Sequence, residues 1–144
     1  MIDEYSKLHA VEKEPQPDKP GYCLPHHAVV REEAATVKAR VVFDASAHMR
    51  EGKSLNEVLN PGPSLLPDLI GLLLRFREYV FALQAEIRKA FFMIGVPLED
   101  RQYWRFLWPN LESKITVWRL AKLPFGANCS PFILNVVLRL HLSE

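Results

Sequence analysis

Cysteine is almost missing: Cys23 and Cys129 are the only two in 144 residues. Two thiols so far apart make neither a disulfide framework nor a zinc site, and an intracellular, reducing setting is the expectation. The five histidines lack metal-ligand spacing. His26 and His27 are adjacent, and adjacent residues on a strand point to opposite faces. Net charge is small as well, formally +1, so no global basic field announces nucleic acid. Apolar runs such as Leu69–Leu74 are far too short to span a bilayer, and no membrane partner is expected. No signal-peptide core, internal repeat or P-loop occurs.

What remains is the composition of a globular chain, 49% hydrophobic and 24% charged, with length for one domain. The charge is uneven. Residues 1–20 carry five acids against three lysines, whereas from residue 61 onward ten Lys/Arg face seven Asp/Glu. Ile2, Tyr5 and Leu8 have helical spacing, and Glu12–Pro20, with three prolines, reads as an extended linker. Two strands are expected next, at His26–Arg31 and Val37–Phe43. On the second, Lys38 and Arg40 share a face about 7 Å apart. They make either a phosphate grip or a solvated edge.

Ser46–Pro63 is polar and turn-rich. A helix is expected over Leu65–Tyr79, with Ser64 as its cap and Leu66, Leu69, Ile70, Leu73 and Phe76 as a buried stripe. The chain then reaches its central stretch, YVFALQAEIRKAFFMIGV (Tyr79–Val96). Tyr79, Phe81, Leu83, Ala85 and Ile87 alternate with Val80, Ala82, Gln84 and Glu86, the pattern of a strand whose second face turns polar at its end. Glu86, Arg88 and Lys89 could hold a metal–triphosphate group there, or form a solvated charge cluster.

Gln102–Trp108 and Lys114–Ala121 read as an antiparallel pair. Their aromatic residues suit either base stacking or packing of a sheet on a helix. In LPFGANCSPF (Leu123–Phe132), Asn128 or Ser130 could cap a helix running to about Leu142, with Pro131 in its first turn and Ile133, Val136, Val137 and Leu140 inward. The order of elements gives an α+β fold, an antiparallel sheet packed on helices.

Four stretches in collinear order carry a resemblance: YCLPHHAVV (Tyr22–Val30), ARVVFDASA (Ala39–Ala47), FALQAEIRKAFFMIGV, and LPFGANCSPF. Together they resemble the reverse transcriptase of LTR retrotransposons, most closely the BEL/Pao clade. The resemblance implies a partial fingers-and-palm fold over residues 21–144, behind an N-terminal helix and Pro-rich linker at 1–20. It also implies templated DNA synthesis, an RNA or DNA template–primer and dNTP as partners, Mg2+ as cofactor, and other parts of a Pol polyprotein.

Residue by residue, Arg40 matches the fingers arginine on the incoming nucleotide's phosphates, with Lys38 beside it. Asp44 matches a structural acid. The amides near Lys89 and Ala90 match the backbone that holds the triphosphate, and Phe91 matches the gate that excludes a 2′-hydroxyl. Phe125 and Gly126 match the turn beside the template and nascent pair, and Pro131 the start of the helix behind it. Two departures stand out. Glu86 occupies the position of a catalytic, metal-binding aspartate, and its extra methylene displaces the carboxylate by roughly 1.3–1.5 Å from where octahedral magnesium needs it. No Asp-Asp pair occurs in the 144 residues, so the family's Tyr-x-Asp-Asp hairpin has no counterpart in them. The expectation is a reverse-transcriptase fragment without catalysis as an isolated chain. A non-catalytic nucleic-acid-binding or interaction module and a functionless relic are the other readings.

Overall fold

In a computed structural model, residues 2–33, 36–48, 50, 52–110 and 112–143 are described, the side chains of residues 31–39 excepted. Helix α1 (Ile2–Lys7) leads into a short strand β1 (Val11–Lys13). Strands β2 (His26–Glu33) and β3 (Thr36–Phe43) follow, then the short helices α2 (Leu55–Val58), α3 (Leu69–Phe76) and α4 (Ala90–Met93). Strands β4 (Arg105–Pro109) and β5 (Ile115–Leu120) and helix α5 (Ser130–Leu142) complete the order. Both sheets are antiparallel, one three-stranded in the order β1-β5-β4 and the other the β2-β3 hairpin. The fold is α+β.

The three-stranded sheet has two unlike faces because its strands alternate. Val11, Phe106 and Leu120 point into the core, where Phe43, Leu24, Trp104 and Val96 meet them. Glu12, Arg105 and Arg119 point the other way, with Glu14 just past the end of β1. Arg119 reaches Glu12 at 2.6 Å, Arg101 reaches the same carboxylate at 3.0 Å, and Arg105 lies 3.0 Å from Glu14. Burial opposes ionisation of Glu12, but the two arginine hydrogen bonds outweigh it and hold that carboxyl below its ordinary value. His26 ties the hairpin to this sheet, stacked on Trp108 with ring centroids 5.4 Å apart and edge-on to Phe106. Phe106 and Trp108 of β4 therefore pack, but against the β2-β3 hairpin where the sequence reading named a helix.

Several expectations need correction. The stretch read as linker contains most of β1, a strand defined by its pairing with β5 and too short for a periodic signal. Within the turn-rich stretch, Ser54 and Glu57 form a capping box that starts α2. Helix α3 is shorter than expected and is capped by Asp68, which accepts a 2.7 Å hydrogen bond from the Gly71 amide, and not by Ser64. It has no buried residue, so its leucine stripe is not core. Similarly, α5 is entered from Cys129 and not Asn128 or Ser130, and Val137 and Leu140 on it are exposed.

The largest correction concerns the central strand. Residues 79–87 form no strand. Among the described residues their backbone amides and carbonyls make no hydrogen bond to other backbone. Leu83 is 96% and Val80 93% exposed. Alternation records a capacity to lie in a sheet, but a strand exists only where a neighbour completes its ladder.

Candidate functional site

The site is built where two turns meet. Arg88 and Lys89 leave the extended stretch, and Lys89 takes a left-handed conformation (φ 55°) that turns the chain into α4. Phe91 and Phe92 follow, the first half-buried and the second buried. The other turn is held by short polar links. Ser130 Oγ donates to the Pro124 carbonyl at 2.7 Å, Asn56 Nδ2 donates to the Gly126 carbonyl at 3.1 Å, and Asn128 Nδ2 donates to the Asn56 carbonyl at 2.6 Å. Gly126 has φ +92°, and a Cβ there would lie 2.3 Å from the Phe43 carbonyl oxygen. Only glycine lets this turn close on the end of β3.

These constraints bring Phe125 onto α4. Its ring centroid is 4.7 Å from that of Phe91 and 5.7 Å from that of Phe92. Phe92 meets Tyr5 of α1 edge-on at 5.2 Å, and burial raises the Tyr5 phenol above its ordinary value. One residue from Tyr5, Glu4 accepts a 2.9 Å hydrogen bond from Lys89 Nζ, which holds the Glu4 carboxyl below its ordinary value. Lys89 is thus engaged by α1, a contact that nothing in the spacing of residues 1–11 announces. Asn56, likewise unmarked in the sequence, matters because both its amide and its carbonyl face the second turn.

Of the residues singled out from sequence, Lys89, Ala90, Phe91, Phe125 and Gly126 come together here. Arg40 is exposed on β3, in register with Val29 of β2. Lys38 also lies on β3, but its side chain falls outside the described residues. Asp44 closes a turn after β3, its Oδ1 accepting from the Ser46 amide at 2.9 Å. Pro131 is in the first turn of α5. Glu86 is exposed on the unpaired stretch. Among the described residues no group of three or more His, Cys, Asp or Glu side chains could hold a metal ion, Glu86 included. No helix among the described residues is long and apolar enough to cross a membrane.

No model of a known protein family matches the chain, and no curated protein matches it.

Proposed function

We propose that this chain is a fingers and partial-palm portion of a reverse transcriptase of the LTR-retrotransposon type, closest to the BEL/Pao clade. The observation that carries the reading is the contact of Phe91 with Phe125. The resemblance assigns these residues to the sugar gate and to the turn beside the nascent pair, sites that must adjoin in a polymerase. They belong to motifs far apart in sequence. Further support comes from Gly126, whose fit against Phe43 joins that turn to the strand bearing Arg40. In this reading Arg40, Lys38 and Lys89 attract the nucleotide's phosphates, and Phe91 sets its preference for deoxyribose.

The 144-residue chain by itself carries out no magnesium-dependent primer extension, and Glu86→Asp does not restore it. A carboxylate at that one position cannot supply the rest of a two-metal site. A second reading, a non-catalytic nucleic-acid-binding or interaction module that keeps the Lys38/Arg40 strand and the Arg88–Lys89 turn for binding, draws support from Arg40, which is exposed on β3. Sequencing the transcript beyond the codon for Glu144 separates the two. A frame that continues into a Tyr-x-Asp-Asp hairpin supports the polymerase, whereas a stop codon leaves binding without synthesis.

A further inference from the structure

Helices α1 and α4 are both fastened to the residue that follows β5. The Ala121 amide donates to the Ala10 carbonyl at 2.9 Å, and the Ala121 carbonyl accepts from the Val96 amide at 2.9 Å. Ala10 is fully buried, and its amide donates to the Tyr5 carbonyl at 2.8 Å across the left-handed turn at His9 (φ 51°). On the other side, the Leu123 amide donates to the Ile94 carbonyl at 2.9 Å and secures the exit of α4. The two helices are thus placed relative to each other by backbone hydrogen bonds through the end of β5.

Their meeting completes a row of four aromatic rings. Tyr5 stands edge-on to Phe92 at 5.2 Å, Phe92 edge-on to Phe125 at 5.7 Å, and Phe125 against Phe91 at 4.7 Å. Phe91 and Phe92 are adjacent on α4, and Phe125 touches both. Tyr5 is half-buried and Phe92 buried, so the inner end of the row is close-packed. Close-packed side chains have few voids in which to absorb a displacement, and edge-on aromatic contacts are directional. A change at Tyr5 therefore reaches Phe91.

We propose that Tyr5 is a positioning residue for sugar discrimination: through Phe92 and Phe125 it sets where the Phe91 ring stands against the 2′ position of a nucleotide. This role rests on the polymerase reading, in which Phe91 is the gate. Two neighbours on α1 then act on different parts of one ligand. Glu4 holds Lys89 and so acts on phosphate, which ribonucleotides and deoxyribonucleotides share. Tyr5 acts on the ring that meets the sugar, where they differ.

The test is a pair of titrations of the whole chain with ATP and dATP carrying the same fluorophore on the γ-phosphate, read by anisotropy. The unaltered chain should favour dATP. Tyr5→Ala should reduce that preference by about two- to ten-fold, the range of one aromatic pair, and Tyr5→Phe should keep it. Glu4→Gln should shift both affinities alike and leave the preference unchanged. Tyr22→Ala removes another partly buried tyrosine from the same core and should also leave the preference unchanged, which separates positioning from lost stability. Tyr5→Leu keeps apolar volume without the ring, and serves where Tyr5→Ala does not fold. A readout free of nucleotide is the fluorine resonance of para-fluorophenylalanine placed at position 91, which should move in Tyr5→Ala and stay in Tyr22→Ala. An unmoved resonance, an equal loss of preference in Tyr22→Ala, or an undiminished preference in the folded Tyr5→Ala or Tyr5→Leu variant would overturn the role of Tyr5 and leave the gate standing. No preference for dATP in the unaltered chain would contradict the gate itself, and the role of Tyr5 with it.

Discussion

Glu14 Oε2 and Arg105 Nε lie 3.0 Å apart with side chains only 2% and 3% exposed. They are an ion pair without an aligned hydrogen bond, since neither atom has a hydrogen-bond partner among the described residues. Arg105 Nη1 donates instead to the Lys19 carbonyl at 2.7 Å, and Arg119 Nη1 stands 3.7 Å from the Glu14 carboxylate. This cluster fastens the N-terminal strand and the chain after it to β4. Removing one partner leaves a buried charge, so Arg105→Ala should destabilise the fold by about 3–5 kcal/mol. Urea unfolding followed by circular dichroism measures this. Glu14→Leu with Arg105→Met should recover most of the loss, because two apolar side chains leave no charge unpaired.

Gly126→Ala should cost about 1–3 kcal/mol for the left-handed backbone, with the clash against the Phe43 carbonyl added to it. Gly71→Ala is the control. That glycine is helical, and its added Cβ would meet only the Asp68 carboxylate at 3.2 Å. In the same unfolding assay Gly126→Ala should be the less stable by a wide margin. Equal stabilities would mean that the turn does not close on β3 as described.

Stability should fall in acid. The Glu12 carboxyl is held by Arg101 and Arg119 below the ordinary glutamate value of 4.5. A carboxyl with a depressed folded value contributes stability above its unfolded value and loses it as pH falls through the folded one. Its side chain is about one-third exposed, so solvent screening reduces the effect. The unfolding midpoint should drop as pH is lowered below 4.5. Glu12→Gln should lower the midpoint at pH 7 and flatten the acid slope. A parallel, undiminished slope in that variant would show that other carboxyls carry it.

The hairpin β2-β3, the pair β4-β5 and helix α5 were legible because each is specified by local alternation or helical spacing with turn residues at its ends. Residues 79–87 carry equally clear alternation and form no strand, because pairing depends on a neighbour that sequence pattern does not name. In α3, Leu69, Ile70 and Leu73 mark an apolar face truthfully, but spacing cannot say whether anything covers it. The strand at Val11–Lys13 fails in the opposite sense, being too short to signal and existing through its register with β5. At the candidate site, the motifs identified Phe91 and Phe125, and the fold adds that they touch. The grip of Glu4 on Lys89 joins opposite parts of the chain and had no local signature.

That grip bears on the proposed nucleotide site. If Lys89 attracts phosphates, Glu4 competes for it. An exposed ion pair contributes roughly 0.2–1 kcal/mol, so Glu4→Gln should tighten binding of a fluorescent dNTP by up to about five-fold. Glu4→Asp should resemble the unaltered chain more closely. Titration by fluorescence anisotropy at constant ionic strength reads the difference, and weaker binding in Glu4→Gln would assign α1 a supporting role.

The most direct measurement is the affinity for an RNA–DNA template–primer duplex across a range of salt concentrations. Phosphate contacts release counterions, and each contributes about −0.9 to the slope of log K against log salt. The unaltered chain should bind with a clear negative slope. Lys38→Ala with Arg40→Ala should weaken binding and make that slope shallower by about 1.8, two phosphate contacts at the same per-contact value. No binding by the folded chain, or identical affinity and slope in the double variant, would contradict a fingers strand that grips nucleic acid and nucleotide phosphates.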